Sequence, residues 1–144
     1  GERLAALKEL VKNFHVARAS SEDCQYLLGA KKGEEESVAR LFVESGADVG
    51  VITLGKEGCI VVTKDETFKV PVFPVKLVDP TGAGDTYSAD FIAEYMRSKD
   101  ARKSAVFASV AASFVVERAG KGIDIKRFAT MSEVLERTKK FPSF

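Results

Sequence analysis

The spacing of apolar residues along the chain predicts alternating helices and strands. Residues 2–14 and 34–45 each carry an apolar stripe at helical spacing, with polar residues on the opposite face. Short runs rich in β-branched residues occur between and after these helices, at 15–19, 49–54, 59–63 and 67–73. The run at 49–54 is typical of a strand buried on both faces of a helix-covered sheet. This alternation predicts the α/β fold class.

The second half of the chain is predicted to be mainly helical. Apolar spacing indicates helices from about Ala83 to Arg97, from 101 to 117, and from about Ser132 to Lys140. Ser132 is predicted to cap the last of them. In the first, we expect five large side chains to cover the inner faces: Tyr87, Phe91, Ile92, Tyr95 and Met96. The middle helix is apolar nearly all round, which predicts that it is buried.

The most informative stretch lies between these halves and reads Val78-Asp79-Pro80-Thr81-Gly82-Ala83-Gly84-Asp85-Thr86. It follows a β-like run that ends near Leu77 and precedes the helix that begins near Ala83. Gly82 and Gly84 flank a small residue, so their backbone N–H groups are not covered by side chains. Because a helix N-terminus presents unpaired N–H groups and partial positive charge, the stretch predicts an anion cradle suited to phosphate.

A carboxylate stands at each end of the predicted cradle. An acid beside bound phosphate costs electrostatic energy, so we expect Asp85 to do chemical work there by accepting the proton of an incoming hydroxyl. Asp79 and Thr81 are candidates to help bind a metal cation. The alternative is a chance Gly-Ala-Gly-Asp sequence in a surface turn.

This stretch resembles the signature Asp-Thr-x-Gly-Ala-Gly-Asp of the ribokinase-like (PfkB) carbohydrate kinases, with Pro80 in place of the usual Thr. The resemblance implies a three-layer α/β/α fold with a mostly parallel sheet and antiparallel edge strands, formed as one domain over residues 1–144. It covers only the C-terminal half of the family, without the half that supplies most of the sugar pocket. The acceptor side would come from a missing N-terminal half or from another chain, including a second copy.

A second element of the same family is matched by Thr53-x-Gly55-x-x-Gly58, and the resemblance implies a role in ATP binding. Ligands of open α/β sheets bind at the carboxyl ends of strands, where this loop is predicted to lie. The same residues predict a β-hairpin turn. Gly120, with Gly122, lies in a loop that in the family borders the nucleotide and, in many members, a monovalent cation. A plain helix stop explains these two glycines equally well.

The family's Asn-x-x-Glu motif, which helps to place magnesium and phosphate, aligns with Ser20 and Asp23. Both positions depart from the motif, although Ser20 keeps a hydroxyl and Asp23 keeps the charge on a shorter arm. Metal handling in altered form and a plain helix cap, with Gly29 ending the helix, are the two alternatives. The resemblance implies ATP and Mg²⁺ as cofactors.

Composition narrows the partners. The net charge of +1, from 22 basic and 21 acidic residues, argues against a nucleic-acid partner. No apolar run approaches the roughly 20 residues of a membrane span. Cys24 and Cys59 form no metal-binding spacing, so a reduced, cytoplasmic protein is expected. His15, the only histidine, is interpreted as structural, and there is no P-loop motif.

Together these features predict ATP-dependent phosphoryl transfer to a hydroxyl of a sugar or nucleoside. In this interpretation Asp85 is the general base, and the backbone of Gly82, Ala83 and Gly84 binds the transferred phosphate. The alternative from another class is a non-catalytic nucleotide-binding or regulatory fragment. Asp85 favours the kinase, because a pure binder gains nothing from an acid beside phosphate.

Overall fold

The computed structural model describes residues 1–118 and 124–144, which form two compact units. The first unit, Gly1–Val70, contains a four-stranded sheet and three helices. The second unit, Pro71–Phe144, contains three further helices among its described residues. A single domain over the whole chain stays a prediction. Within the described ranges, no helix combines the length and the apolar character needed to cross a bilayer.

The first unit confirms the α/β class. Its elements are α1 (Glu2–Val11), β1 (Val16–Ser20), α2 (Ser21–Leu28), α3 (Glu35–Glu44), β2 (Val49–Thr53), β3 (Cys59–Thr63) and β4 (Thr67–Val70). The strand order is β1-β2-β3-β4; β1 pairs with β2 in parallel, and the other two pairings are antiparallel. Two of the three strand pairings in the described sheet are therefore antiparallel, whereas we predicted a mostly parallel sheet with antiparallel edge strands. Short turns join β2 to β3 and β3 to β4, and only the α2–α3 crossover is long enough for a parallel pairing.

The core of the first unit lies where α3 packs on β2 and β3. Val49, Val51 and Ile52 are fully buried, as the apolar run predicted. Gly50 permits this packing, because a Cβ atom there would lie 2.2 Å from the carbonyl oxygen of Ala39 on α3. β4 is an edge strand of the sheet, and its side chains alternate between exposed and buried.

The second unit contains α4 (Ala83–Ser98), α5 (Ala101–Glu117) and α6 (Met131–Thr138). Along the interface of α4 with α5, Tyr87, Phe91 and Tyr95 are buried, with neighbouring ring centroids 6.0 and 6.3 Å apart. The expectation for Ile92 and Met96 is wrong, since these side chains are about half exposed. They stand one position beyond Phe91 and Tyr95, which turns them about 100° away from the buried face.

Two boundaries in the second unit differ from the sequence prediction. Residues 71–82 form no strand. Instead, the N–H groups of Val78 and Asp79 both donate to the carbonyl oxygen of Val116, at 2.8 and 3.0 Å. Prolines at 71 and 74 lack the N–H group that a strand uses to pair with its neighbour. The cradle is therefore preceded by a segment without strand pairing, which is hydrogen-bonded to α5. The cap of α6 is Thr130 rather than Ser132.

Candidate functional site

The predicted cradle lies at the N-terminus of α4. Gly82 is the N-cap residue and has the left-handed conformation φ 83°, ψ −2°, which other residues adopt only at a cost. A Cβ atom built at Gly82 meets no heavy atom within 4 Å. The glycine is therefore required by the backbone conformation, and the space in front of the helix is open.

The backbone donors of the cradle divide into two groups. The N–H of Ala83 closes a turn by donating to the carbonyl oxygen of Pro80 at 3.1 Å. In the part of the chain that the structure describes, the N–H groups of Gly84 and Asp85 have no acceptor. These two donors in the first turn of a helix are the groups available to an anion.

Asp85 is the third residue of α4, and its side chain is exposed. No described residue donates a hydrogen bond to its carboxylate or forms an ion pair with it. An acid in the first turn is favoured by the helix dipole, so its position alone requires no chemistry. Its carboxylate oxygens are therefore available to accept a proton, and the role of Asp85 as a general base stays a prediction.

At the other end of the cradle, Asp79 is held by two neighbours. Its Oδ1 accepts from the N–H of Thr81 at 2.9 Å, and the guanidinium of Arg127 lies 3.5 Å from its Oδ2. The hydrogen bond from the Thr81 backbone, together with the Arg127 charge, lowers the pKa of Asp79 below its usual value. The sequence interpretation missed Arg127, because no local spacing connects it with Asp79. A metal role for Asp79 and Thr81 stays a prediction.

The second predicted motif lies at the carboxyl end of β2, in the first unit. Thr53 ends the strand, a short 3₁₀ turn covers Gly55–Glu57, and the N–H of Leu54 donates to the carbonyl oxygen of Gly58 at 2.8 Å. The predicted hairpin turn is confirmed. Gly55 and Gly58 both have positive φ, which explains the need for glycine at these two positions.

Arg18, which the sequence interpretation also missed, contacts this motif. Its Nη2 donates to the hydroxyl oxygen of Thr53 at 2.8 Å. Because arginine only donates, the Thr53 hydroxyl must accept, and its own proton is left for another acceptor. The carbonyl oxygen of Ala19, at 3.5 Å, is too distant for a strong bond. Arg18 and Thr53 therefore present donors suited to phosphate or ribose oxygens.

The Ser20 and Asp23 pair forms a reciprocal helix cap. The N–H of Asp23 donates to Ser20 Oγ at 3.0 Å, and the N–H of Ser20 donates to Asp23 Oδ2 at 2.9 Å. These bonds lower the pKa of Asp23, the backbone hydrogen bond from Ser20 contributing most. The observed geometry is therefore that of a plain helix cap. The cap uses Asp23 Oδ2 and leaves Asp23 Oδ1 without a role in it. A metal role for Asp23 stays a prediction.

The carboxyl ends of two strands bring two of these motifs together. Ser20 and Thr53 are register partners in the parallel pair of β1 and β2, so the cap and the hairpin motif are neighbours. The described residues contain no cluster of three or more His, Cys, Asp or Glu that could hold a metal ion alone. Gly120, and with it the predicted cation loop, lies outside the described residues. His15 is exposed, and its Nδ1 lies 2.8 Å from Asp48 Oδ2.

Comparison with known proteins identifies the family. Residues 2–127 match the pfkB family of carbohydrate kinases, and the chain belongs to this family. It is similar to a nucleoside kinase of Methanothermobacter thermautotrophicus, with 45% identity over 108 residues that cover 71% of this chain and 35% of that protein. Across three curated relatives, the matched residues span between 30% and 41% of the relative's length.

Solved structures confirm the ribokinase-like fold. The nucleoside kinase of Methanocaldococcus jannaschii, described as an archaeal member of the ribokinase family, matches with a TM-score of 0.73 and 28% identity. The match covers 95% of this chain and 44% of that chain. A proposed ribokinase II of Escherichia coli, solved with ATP and Mg²⁺, matches with a TM-score of 0.76 and 25% identity, covering 94% and 42%.

Proposed function

We propose that this chain is the nucleotide-binding and catalytic portion of an ATP-dependent kinase that phosphorylates a hydroxyl group of a sugar or nucleoside. Family membership supports the class of reaction. The single observation that carries the assignment to residues is the start of α4, where an exposed, unpaired carboxylate stands beside two unpaired backbone donors.

In the proposed reaction, the hydroxyl oxygen of the acceptor attacks the γ-phosphorus of ATP, and its proton passes to the carboxylate of Asp85. The new O–P bond forms as the bond to the β-phosphate oxygen breaks, so ADP leaves. The cradle of Gly82, Ala83 and Gly84, with Gly84 N–H and Asp85 N–H as its free donors, offsets the charge on the transferred phosphoryl group. Such reactions depend mainly on positioning and electrostatic stabilisation, which these groups can supply.

The nucleotide side is assigned to the hairpin motif of the first unit. We infer that Thr53 and Arg18 donate to phosphate or ribose oxygens, while the positive-φ glycines Gly55 and Gly58 keep side chains away from the bound nucleotide. The proposed role of Gly120 rests on the resemblance alone.

Mg²⁺, when bound with ATP, would neutralise phosphate charge. Asp23 is suited to contact the ion through water, because its free Oδ1 is able to accept a hydrogen bond from a water molecule bound to Mg²⁺. Asp79 and Thr81 are the other proposed metal-side residues. The presence of ATP and Mg²⁺ in the Escherichia coli neighbour supports these cofactors.

The acceptor class is the first thing to measure. The whole protein should be incubated with ATP and Mg²⁺ against a panel of nucleosides and sugars, with ADP and the phosphorylated acceptor quantified together. Nucleosides are the first choice, because the Methanothermobacter relative is a nucleoside kinase. Stoichiometric ADP and phosphate-ester product is expected with at least one acceptor.

A non-catalytic nucleotide-binding fragment is the second candidate. The capping geometry of Ser20 and Asp23 favours it, since a helix cap gives these residues a role without metal. The same panel separates the two candidates. Tight ATP binding without a phosphorylated acceptor in any reaction would support the fragment and contradict the kinase.

A further inference from the structure

Arg127 is the most deeply buried cation of the second unit among the described residues, with 4% of its surface exposed. Its Nη2 donates to the carbonyl oxygens of Asp79 at 2.9 Å and Val115 at 3.0 Å. Its Nε donates to the carbonyl oxygen of Arg118 at 3.1 Å. With Asp79 Oδ2 at 3.5 Å, the guanidinium is surrounded by three carbonyl oxygens and one carboxylate oxygen.

Such an oxygen cluster has the chemistry of a site for an alkali cation, which proteins bind through backbone carbonyls and carboxylates. Here the oxygens already serve a guanidinium, which carries a permanent charge and directs its donors in a fixed plane. An added ion would have to displace a buried and hydrogen-bonded arginine. The described residues around Asp79 therefore do not fit an added alkali cation in this cluster.

We propose that the Arg127 guanidinium takes the place of an added cation in this cluster of described residues and positions the cradle, so that this cluster binds no added monovalent cation. The expected effect of Arg127 on turnover rests on the proposed function, whereas its expected effect on stability does not. Arg127 acts through other groups and touches no reacting atom.

A continuous series of contacts connects Arg127 with the cradle. The guanidinium holds the carbonyl and carboxylate of Asp79, and the same carboxylate accepts from the N–H of Thr81. The next turn is closed by the bond from Ala83 N–H to the carbonyl oxygen of Pro80. Without the guanidinium, the three carbonyl oxygens would lose the donor that they share and the Asp79 carboxylate would lose its ion pair, which is costly where these groups are buried.

The first test needs no catalytic activity. The melting temperature of the whole protein is measured in buffers in which K⁺ is replaced by tetramethylammonium at equal ionic strength. The wild type is expected to melt at the same temperature in both, because its cluster is filled. Specific stabilisation of the wild type by K⁺ would overturn the proposal. Since this readout is independent of turnover, its failure is distinct from failure of the proposed function.

The second test removes the charge. Arg127→Met is expected to melt lower than the wild type and to recover part of the loss in K⁺ or in guanidinium at low millimolar concentration. Lys126→Met, which changes an exposed neighbouring cation, is the matched control and should respond to neither. An Arg127→Met variant that is stable without any added cation, or that no cation stabilises, would show that Arg127 only fills space.

Should Arg127→Met fail to fold, Arg127→Lys keeps the charge and decides the question. Arg127→Lys is expected to stay insensitive to K⁺, and stabilisation by K⁺ would contradict the assignment. In an active preparation, kcat and KM for ATP of the wild type are expected to agree within about twofold in the two buffers. Activation of about tenfold or more by K⁺ would overturn the inference while leaving the kinase assignment intact.

Discussion

At the scale of single residues, one arginine in each unit determines how the polar groups of that unit's candidate motif are used. Arg18 makes the Thr53 hydroxyl an acceptor, and Arg127 holds Asp79. Local spacing was enough to indicate the glycines and carboxylates as candidates. It could not indicate these cations, because the contacts join residues 35 and 48 positions apart in the chain.

Replacing Arg18 with Met is expected to weaken ATP binding to the whole protein by about tenfold or more. A hydrogen bond to a charged group contributes about 1.5–3 kcal/mol, and the substitution removes such donors from the nucleotide side. The measurement is the Kd for ATP by titration calorimetry. Arg40→Met is the matched control, because Arg40 Nη2 donates to the Thr67 hydroxyl at 3.0 Å in a comparable pair. Equal affinities of the wild type and the Arg18 variant would remove Arg18 from the nucleotide site.

At the scale of elements, two of the described helices, α2 and α6, begin with reciprocal caps. Thr130 and Glu133 cap α6 as Ser20 and Asp23 cap α2. Our prediction of Ser132 as the cap was wrong, although the Thr-x-x-Glu spacing of residues 130–133 is the sequence signal of a capping box and could have shown it. Element types were predictable because apolar periodicity decides them, whereas exact boundaries depend on such local bonds.

Glu133 predicts an acid dependence of stability. The backbone hydrogen bond from Thr130, followed by the bond from Arg118, lowers the pKa of Glu133 from 4.5 to about 2. A lowered carboxyl pKa stabilises the fold above the unfolded value, and this contribution is lost as pH falls from 4.5 towards 2. Glu133→Gln should therefore lower the melting temperature at pH 7 and narrow its gap to the wild type at about pH 2.5.

The control for this acid dependence is Glu57→Gln, which changes an exposed acid in the hairpin turn. Glu57→Gln should show the same difference in melting temperature between neutral and acidic pH as the wild type. A constant gap between Glu133→Gln and the wild type across this range would show that the carboxylate charge does not stabilise the cap.

The packing of α3 on β2 gives a prediction for Gly50. A Cβ atom at this position would lie 2.2 Å from the carbonyl oxygen of Ala39, so Gly50→Ala must push the helix from the sheet. The expected loss is about 1–3 kcal/mol of unfolding free energy or more, measured by urea denaturation. The control is Ala17→Gly on the neighbouring strand, at the register partner of Gly50, because it changes the sheet without adding a Cβ atom. Unchanged stability of Gly50→Ala would contradict the close approach.

At the scale of the whole molecule, the fold class and family followed from the sequence, while the connections within the fold did so only in part. The crossover from β1 to β2 was predictable from alternating periodicity. The extended segment before the cradle was not, because Val75 to Val78 has strand-like composition, and the acceptor for its N–H groups is the distant carbonyl of Val116. The chain covers 35% and 41% of two curated relatives and 44% of the Methanocaldococcus jannaschii structure, so substrate choice is to be measured on the whole protein.

The central claim is that Asp85 accepts the acceptor's proton at the start of α4. The most direct measurement compares kcat and ATP affinity of the whole protein for the wild type, Asp85→Asn and Asp90→Asn, the last a carboxylate on the same helix. We predict that Asp85→Asn lowers kcat by at least about 10²-fold with ATP binding retained, while Asp90→Asn remains active. Turnover by Asp85→Asn at the wild-type rate would contradict the account.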